Sequence, residues 1–191
     1  MHPTPDLLMR HSRPGPRYTS YPTAPVWQED FPESARAAAL AALSLPVSVY
    51  VHIPFCREQC WFCGCNMVVS RHREPGVRYL DALERYVERL PLSSERIDVA
   101  RIHLGGGTPT WLESQELERL YAILHSRFRP VEGAEISVEA DPEITTDEQV
   151  DVLAALGVNR LSLGVQSFDP EVLAAVNRPQ QQSRIAAIVE R

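Results

Sequence analysis

Four short runs rich in β-branched and other apolar residues, VSVYVHIP, VARIHL, EISVEADP and NRLSLGVQSF, divide this sequence. Stretches of helical periodicity separate each run from the next. A strand that is apolar along most of its length is covered on its apolar face by other elements. Strand alternating with helix predicts parallel strands joined by right-handed crossovers. An open doubly wound sheet and a (β/α) barrel both satisfy that pattern. The unusual polar residues cluster at the C-terminal end of each run, and in (β/α) barrels that rim is where active sites are built.

The intervening segments carry their own punctuation. Val77, Leu80, Leu83, Val87 and Leu90 share one helical face, and so do Leu117, Leu120, Leu124 and Phe128, with Ser114 as the expected N-cap. The run TTDE offers a capping box from Thr145 to Glu148, and Gly157 stands where a C′ glycine belongs. Asp169 and Pro170 read as N-cap and first residue of another helix. Ahead of the first strand run, a short helix is expected over 31–43. The first 30 residues, rich in proline and polar groups, read as an irregular arm.

All four cysteines fall within FCREQCWFCGCN, directly after the first strand run. Cys56, Cys60 and Cys63 have C-x3-C-x2-C spacing, and Cys65 follows two positions later. Four thiolates could close a structural zinc site, but zinc knuckles pair their cysteines as C-x2-C on separate turns. Three ligands on a four-iron cluster would leave one iron open, as a catalytic metal requires. Spacing alone favours the cluster over zinc. The run GGGTPT at the end of the second strand has no lysine for a P-loop and does not fit G-x-G-x-x-G, which argues against a nucleotide phosphate site.

Composition narrows the partners. A net charge of −6 with no Lys/Arg-rich run speaks against nucleic acid or an anionic membrane as the main partner. The N-terminus lacks the charged and apolar regions of a signal peptide, and no apolar run approaches the roughly 20 residues a membrane span needs. A reducing cytoplasm is the expected location, where clustered cysteines bind metal or do redox chemistry.

The motifs together carry a resemblance. CREQCWFC after a strand, with GGGTP at the end of the next, resembles the radical S-adenosylmethionine (SAM) superfamily. RPGPRYTSYPTA, YVHIPFC, CWFCGCN, GGGTPTWL, VEADP, LGVQSF and VNR resemble the oxygen-independent coproporphyrinogen III oxidases within it. The resemblance implies an α/β fold, a partial (β/α) radical SAM barrel of about four βα units. It also implies that the chain corresponds to the N-terminal portion of a family enzyme, the remaining strands and C-terminal domain being absent. The expected division is an N-terminal arm and short helix over 1–45 and the radical SAM core over 46–191.

Residue by residue, the resemblance implies that Cys56, Cys60 and Cys63 ligate a [4Fe-4S] cluster whose fourth iron binds SAM. Tyr50 would lie against that SAM, the run from Gly105 to Thr108, with Gly106 and Gly107 inside it, would bring bare backbone to it, and Glu139 would meet its ammonium or ribose. Phe62 and Gln166, with Arg178, Gly107 and Thr108, match positions assigned to a second SAM. His52 shares a strand face with Tyr50 and reads as an interior polar residue with a satisfied hydrogen bond. Asp141, before Pro142, reads as a helix N-cap. Cys65 would be a non-ligand near substrate, a catalytic aid rather than a packing residue.

The implied reaction is the oxidative decarboxylation of coproporphyrinogen III to protoporphyrinogen IX in haem biosynthesis. A 5′-deoxyadenosyl radical takes a propionate hydrogen, and an unidentified electron donor and electron acceptor complete the cycle. A monomer is expected at full length. Two other functions fit parts of the pattern. One is a radical-SAM-like haem chaperone, against which the YTSYPTA arm and Cys65 count; the other is a zinc-stabilised scaffold without catalysis.

Overall fold

The structure, a computed structural model, describes Thr4, Asp6, Met9, Val26 and residues 30–191. The expected irregular arm, with its RPGPRYTSYPTA motif, therefore lies outside the described residues apart from those four and Asp30. The chain separates into two compact units, Met1–Ala38 and Ala39–Arg191. The first reaches into helix α1 (Glu33–Ala41), where Arg36 pairs with Glu33 one turn away. Helix α1 occupies the middle of the predicted 31–43 span.

The second unit is built on a four-stranded parallel sheet in the order β1 (Val47–Ile53), β4 (Ile97–Gly106), β5 (Phe128–Ala140), β6 (Arg160–Leu163). Strands adjacent in sequence are adjacent in the sheet, as in an arc of a (β/α) barrel. The crossovers are α2 (Glu74–Glu88), α3 (Ser114–Arg127) and α4 (Asp147–Ala155); α5 (Pro170–Ala175) and α6 (Gln182–Glu190) follow the last strand. A second, two-stranded sheet was not expected. It pairs β2 (Phe55–Cys56) with β3 (Val68–Val69) and closes the stem of the cysteine loop.

The sheet has two unlike faces because side chains alternate along a strand. Val51, Ile53, Val99, Ile102, Leu104, Ile136 and Val138 point into one hydrophobic cluster with Leu80, Val87, Leu117, Leu120, Tyr121, Leu124 and Leu153 from the helices. Burial of each such side chain contributes about 1.5–3 kcal/mol. Tyr50, His52, Arg101, His103, Glu139 and Ser162 belong to the opposite, polar set of alternating positions.

Several local expectations shift by a residue or two. The N-cap of α3 is Glu113, whose N–H donates to the Glu116 carboxylate at 2.8 Å, and Ser114 is the first helical residue instead. The capping box of α4 runs from Thr146 to Gln149, not from Thr145 to Glu148. Thr145 is buried, and its hydroxyl is taken up by Thr110 at 2.8 Å and the Asp141 carbonyl at 2.7 Å. Val77 is 44 % exposed and stands off the core, while Leu80 and Val87 are buried. Phe128 opens β5 rather than closing α3, because it pairs with Ile97 across the sheet. Gly157 (φ 85°) and the Asp169–Pro170 start of α5 are found as expected.

Candidate active site

The ends of β1, β4, β5 and β6 open on a cleft of about 620 Å³. Cys56, Cys60, Cys63 and Cys65 line it, together with Phe62, Gly106, Gly107, Thr108, Glu139, Gln166 and Arg178. Eleven of the twelve predicted site residues are thus brought to one place. Tyr50 stands outside that lining, on the polar face of β1, where its hydroxyl lies 3.0 Å from His52 Nδ1.

The cysteine loop is held from three directions. At its stem, Val68 N–H donates to the Pro54 carbonyl (2.6 Å) and Ser70 N–H to the Cys56 carbonyl (2.9 Å). From the sheet, Gly107 N–H donates to the Ile53 carbonyl (2.8 Å) and Thr108 N–H to the Phe55 carbonyl (2.9 Å). From the segment after α5, the Val176 carbonyl accepts from Trp61 N–H (3.0 Å) and Asn177 Nδ2 donates to the Gln59 carbonyl (2.7 Å). His52 adds a fourth tie through Nε2, 2.7 Å from the Asn66 carbonyl, which satisfies the hydrogen bond expected of it.

The glycines allow the close approach. Gly106 has φ 117°, a conformation that side chains rarely adopt. A methyl group on Gly107 would lie 2.7 Å from the Phe55 carbonyl oxygen and 3.0 Å from Cys56 Sγ. Two other residues of the cleft, Gln166 (φ 63°) and Asn177 (φ 52°), also hold left-handed backbone, a strain that clusters at functional sites.

Arg178 is tied into the cleft by three contacts. Its guanidinium pairs with Asp141 at 2.8 Å, donates to the Gly164 carbonyl at 2.9 Å, and reaches Cys60 Sγ at 3.6 Å. Asp141 is therefore an ion-pair partner rather than the N-cap it resembles in sequence, though one carboxylate oxygen also accepts from Glu143 N–H. Burial pushes its carboxyl above the usual carboxylate range, outweighing the pull of Arg178 in the other direction. Asp141, Asn177 and His103 were missed as site residues. For His103 a signal existed, since it alternates with Gly105 on the same strand.

The donor set fits an iron–sulfur cluster. Burial pushes the Cys56 thiol up, with the Thr108 hydroxyl, 3.4 Å from its sulfur, acting in the opposite sense. A ligated metal supplies the positive charge that buried thiolates need. Among the described residues no three Cys, His, Asp or Glu side chains converge on a single-ion site. A cubane takes each thiolate at a different iron. Cys65 is exposed, and burial followed by its contact with Cys63 pushes its thiol up.

The profile of the radical SAM superfamily matches residues 50–191, most of the chain and all of this cleft. The chain belongs to the radical SAM superfamily. Within it, the chain is 45 % identical over 185 residues to the oxygen-independent coproporphyrinogen III oxidase of Salmonella typhimurium and 46 % identical to that of Escherichia coli K12. Each alignment covers 96 % of this chain and 40 % of the relative. The solved structure of coproporphyrinogen III oxidase (HemN) from Escherichia coli, described as a radical SAM enzyme, superposes with a TM-score of 0.85 at 46 % identity. That superposition covers 91 % of this chain and 40 % of the other. The resemblance read from the motifs and the α/β radical SAM fold both stand, and the chain spans about 40 % of the length of these relatives. Membership of the superfamily implies a [4Fe-4S] cluster and SAM.

Proposed function

We propose that this chain forms the cofactor-binding core, over residues 46–191, of an oxygen-independent coproporphyrinogen III oxidase. In this reading Cys56, Cys60 and Cys63 hold three irons of the cluster and leave the fourth to SAM, while Cys65 stays unligated toward the substrate side. The observation that carries it is the gathering of those three cysteines, Gly106, Gly107, Thr108 and Glu139 in one cleft at the C-terminal ends of parallel strands.

Bound together, the cluster and SAM supply one-electron cleavage and hydrogen abstraction, chemistry the protein itself lacks. The chain's part is to bind, orient and exclude water. Gly106 and Gly107 bring backbone close to the cluster loop, and Glu139 presents an anion for the SAM ammonium or ribose. Arg178 is engaged by Asp141 and the Gly164 carbonyl, so its contribution to a second SAM, shared with Phe62 and Gln166, comes from donors left over after the ion pair. Coproporphyrinogen III is the proposed substrate, by similarity to the relatives' names, and an external electron donor and acceptor complete the reaction. No described helix is long and apolar enough to cross a membrane. The proposed location is the cytoplasm, where clustered cysteines are kept reduced.

Anaerobic reconstitution with iron and sulfide tests the reading. The expected product carries a reducible four-iron cluster, cleaves SAM when reduced, and converts coproporphyrinogen III at full length. A protein that takes up zinc in place of a reducible cluster overturns the radical SAM assignment. One that binds haem tightly without turning over coproporphyrinogen overturns the oxidase assignment.

A further inference from the structure

The parallel register sets Tyr50, His103 and Ser137 side by side across β1, β4 and β5. His103 lies between Ile102 and Leu104, both fully buried against the helices, so alternation turns it to the polar face. Its ring stacks on Tyr50 with centroids 5.8 Å apart and planes 19° from parallel. Nδ1 lies 2.8 Å from the hydroxyl of Ser137, itself only 4 % exposed, and Nε2 lies 3.4 Å from Glu139 Oε1. A carboxylate can only accept, so Nε2 carries a proton toward Glu139, and in the neutral imidazole Nδ1 then accepts from the Ser137 hydroxyl.

Gly105, between the two partners, makes this meeting possible. A methyl group there would stand 3.0 Å from Glu139 Oε2 and 3.1 Å from His103 Nε2. The other Glu139 oxygen accepts from Gly106 N–H at 3.3 Å. The Glu139 side chain is 47 % exposed, and a carboxylate so open would sample several rotamers without such ties.

We infer that His103, anchored by Ser137 and stacked on Tyr50, is a positioning residue that fixes the Glu139 carboxylate for SAM. The inference rests on the proposed radical SAM reading, in which Glu139 is a SAM contact. His103 acts through Glu139; among the described residues its side chain bonds Ser137 and Glu139 and not the cysteine loop, so its loss leaves cluster assembly intact.

The test is equilibrium binding of radiolabelled SAM to the full-length protein carrying a reconstituted cluster, with iron content measured alongside. His103→Phe keeps a ring against Tyr50 and removes both nitrogen contacts. It is expected to weaken SAM binding about tenfold with iron content unchanged. Ser137→Ala removes one oxygen, carries the test should His103→Phe fold poorly, and is expected to weaken binding about threefold. In a Glu139→Gln background either substitution should add less than twofold, because residues acting through one another are not additive. Unchanged SAM affinity in Ser137→Ala and in folded His103→Phe overturns the inference, and so do losses that multiply with that of Glu139→Gln. Wild-type protein that holds the cluster yet retains no SAM removes the underlying reading and this inference with it, and that result is visible before any variant is made.

Discussion

Arg178 and Asp141 meet at 2.8 Å across the mouth of the cleft, both side chains mostly buried, with the guanidinium also reaching the sulfur of Cys60. The pair ties the end of β5 to the segment after α5 and, through it, to the cysteine loop. Arg178→Met leaves the Asp141 carboxylate without its cation in a site where burial already raises its pKa. The raised folded pKa means that stability linked to this carboxyl is present below the unfolded value and lost as pH rises through the folded one. The expected cost, measured by urea unfolding, is roughly 3 kcal/mol near neutral pH and shrinks as pH falls toward the ordinary carboxylate range. A cost that does not vary with pH would remove Asp141 from the explanation.

Gly107→Ala tests the close approach of backbone to the cysteine loop. Its methyl would press on the Phe55 carbonyl, which is backbone already engaged by Thr108 N–H and cannot yield by a side-chain rotation. Overpacking of this kind costs about 1–3 kcal/mol, and iron retention after reconstitution is expected to fall severalfold. Gly64→Ala, in the same loop with nothing within 4 Å of the added methyl, serves as the control and should retain iron as wild type does. Equal iron retention by the two variants would contradict the geometry.

The sheet was legible because each strand carries an apolar alternation that only one covered face explains: Val49, Val51 and Ile53 against Tyr50 and His52. The cysteine spacing and the glycine run were legible for the same local reason. What escaped was set by distant contacts. Thr145 and Thr146 are chemically identical as caps, and the choice between them is made by Thr110, 35 residues away, which claims the Thr145 hydroxyl. β6 stops at Leu163, short of the predicted run, because the chain turns through Gly164 and the left-handed Gln166 toward the cleft. The partner of Arg178 could not be read from a sequence in which Asp141 stands before a proline and mimics a cap.

The four cysteines should separate into two classes. Alanine at Cys56, Cys60 or Cys63 is expected to abolish the reducible four-iron signal, since two remaining thiolates do not hold a cubane. Cys65 lines the cleft, and on the proposed reading, in which it is a non-ligand near substrate, Cys65→Ser should keep full iron content while lowering turnover of coproporphyrinogen. Spectroscopic quantitation of the cluster beside a turnover assay reads both. Loss of the cluster in Cys65→Ser would make it a ligand, and full turnover would return it to packing.

Tyr79 links the helical layer to β1, its hydroxyl donating to the His52 carbonyl at 2.8 Å. Burial, with a smaller contribution from Tyr50, pushes its pKa to about 12. A phenol raised in the folded state contributes stability that is intact below its unfolded pKa of about 10 and is lost as pH climbs through the folded value. Native protein should therefore lose stability between those two values more steeply than Tyr79→Phe. The variant itself is expected to be about 1 kcal/mol less stable at neutral pH for want of the hydrogen bond to the strand. The phenolate's ultraviolet absorbance, taken as the difference between the two proteins, gives the folded pKa directly. A midpoint at the ordinary tyrosine value would show that Tyr79 is not held in the layer between α2 and β1.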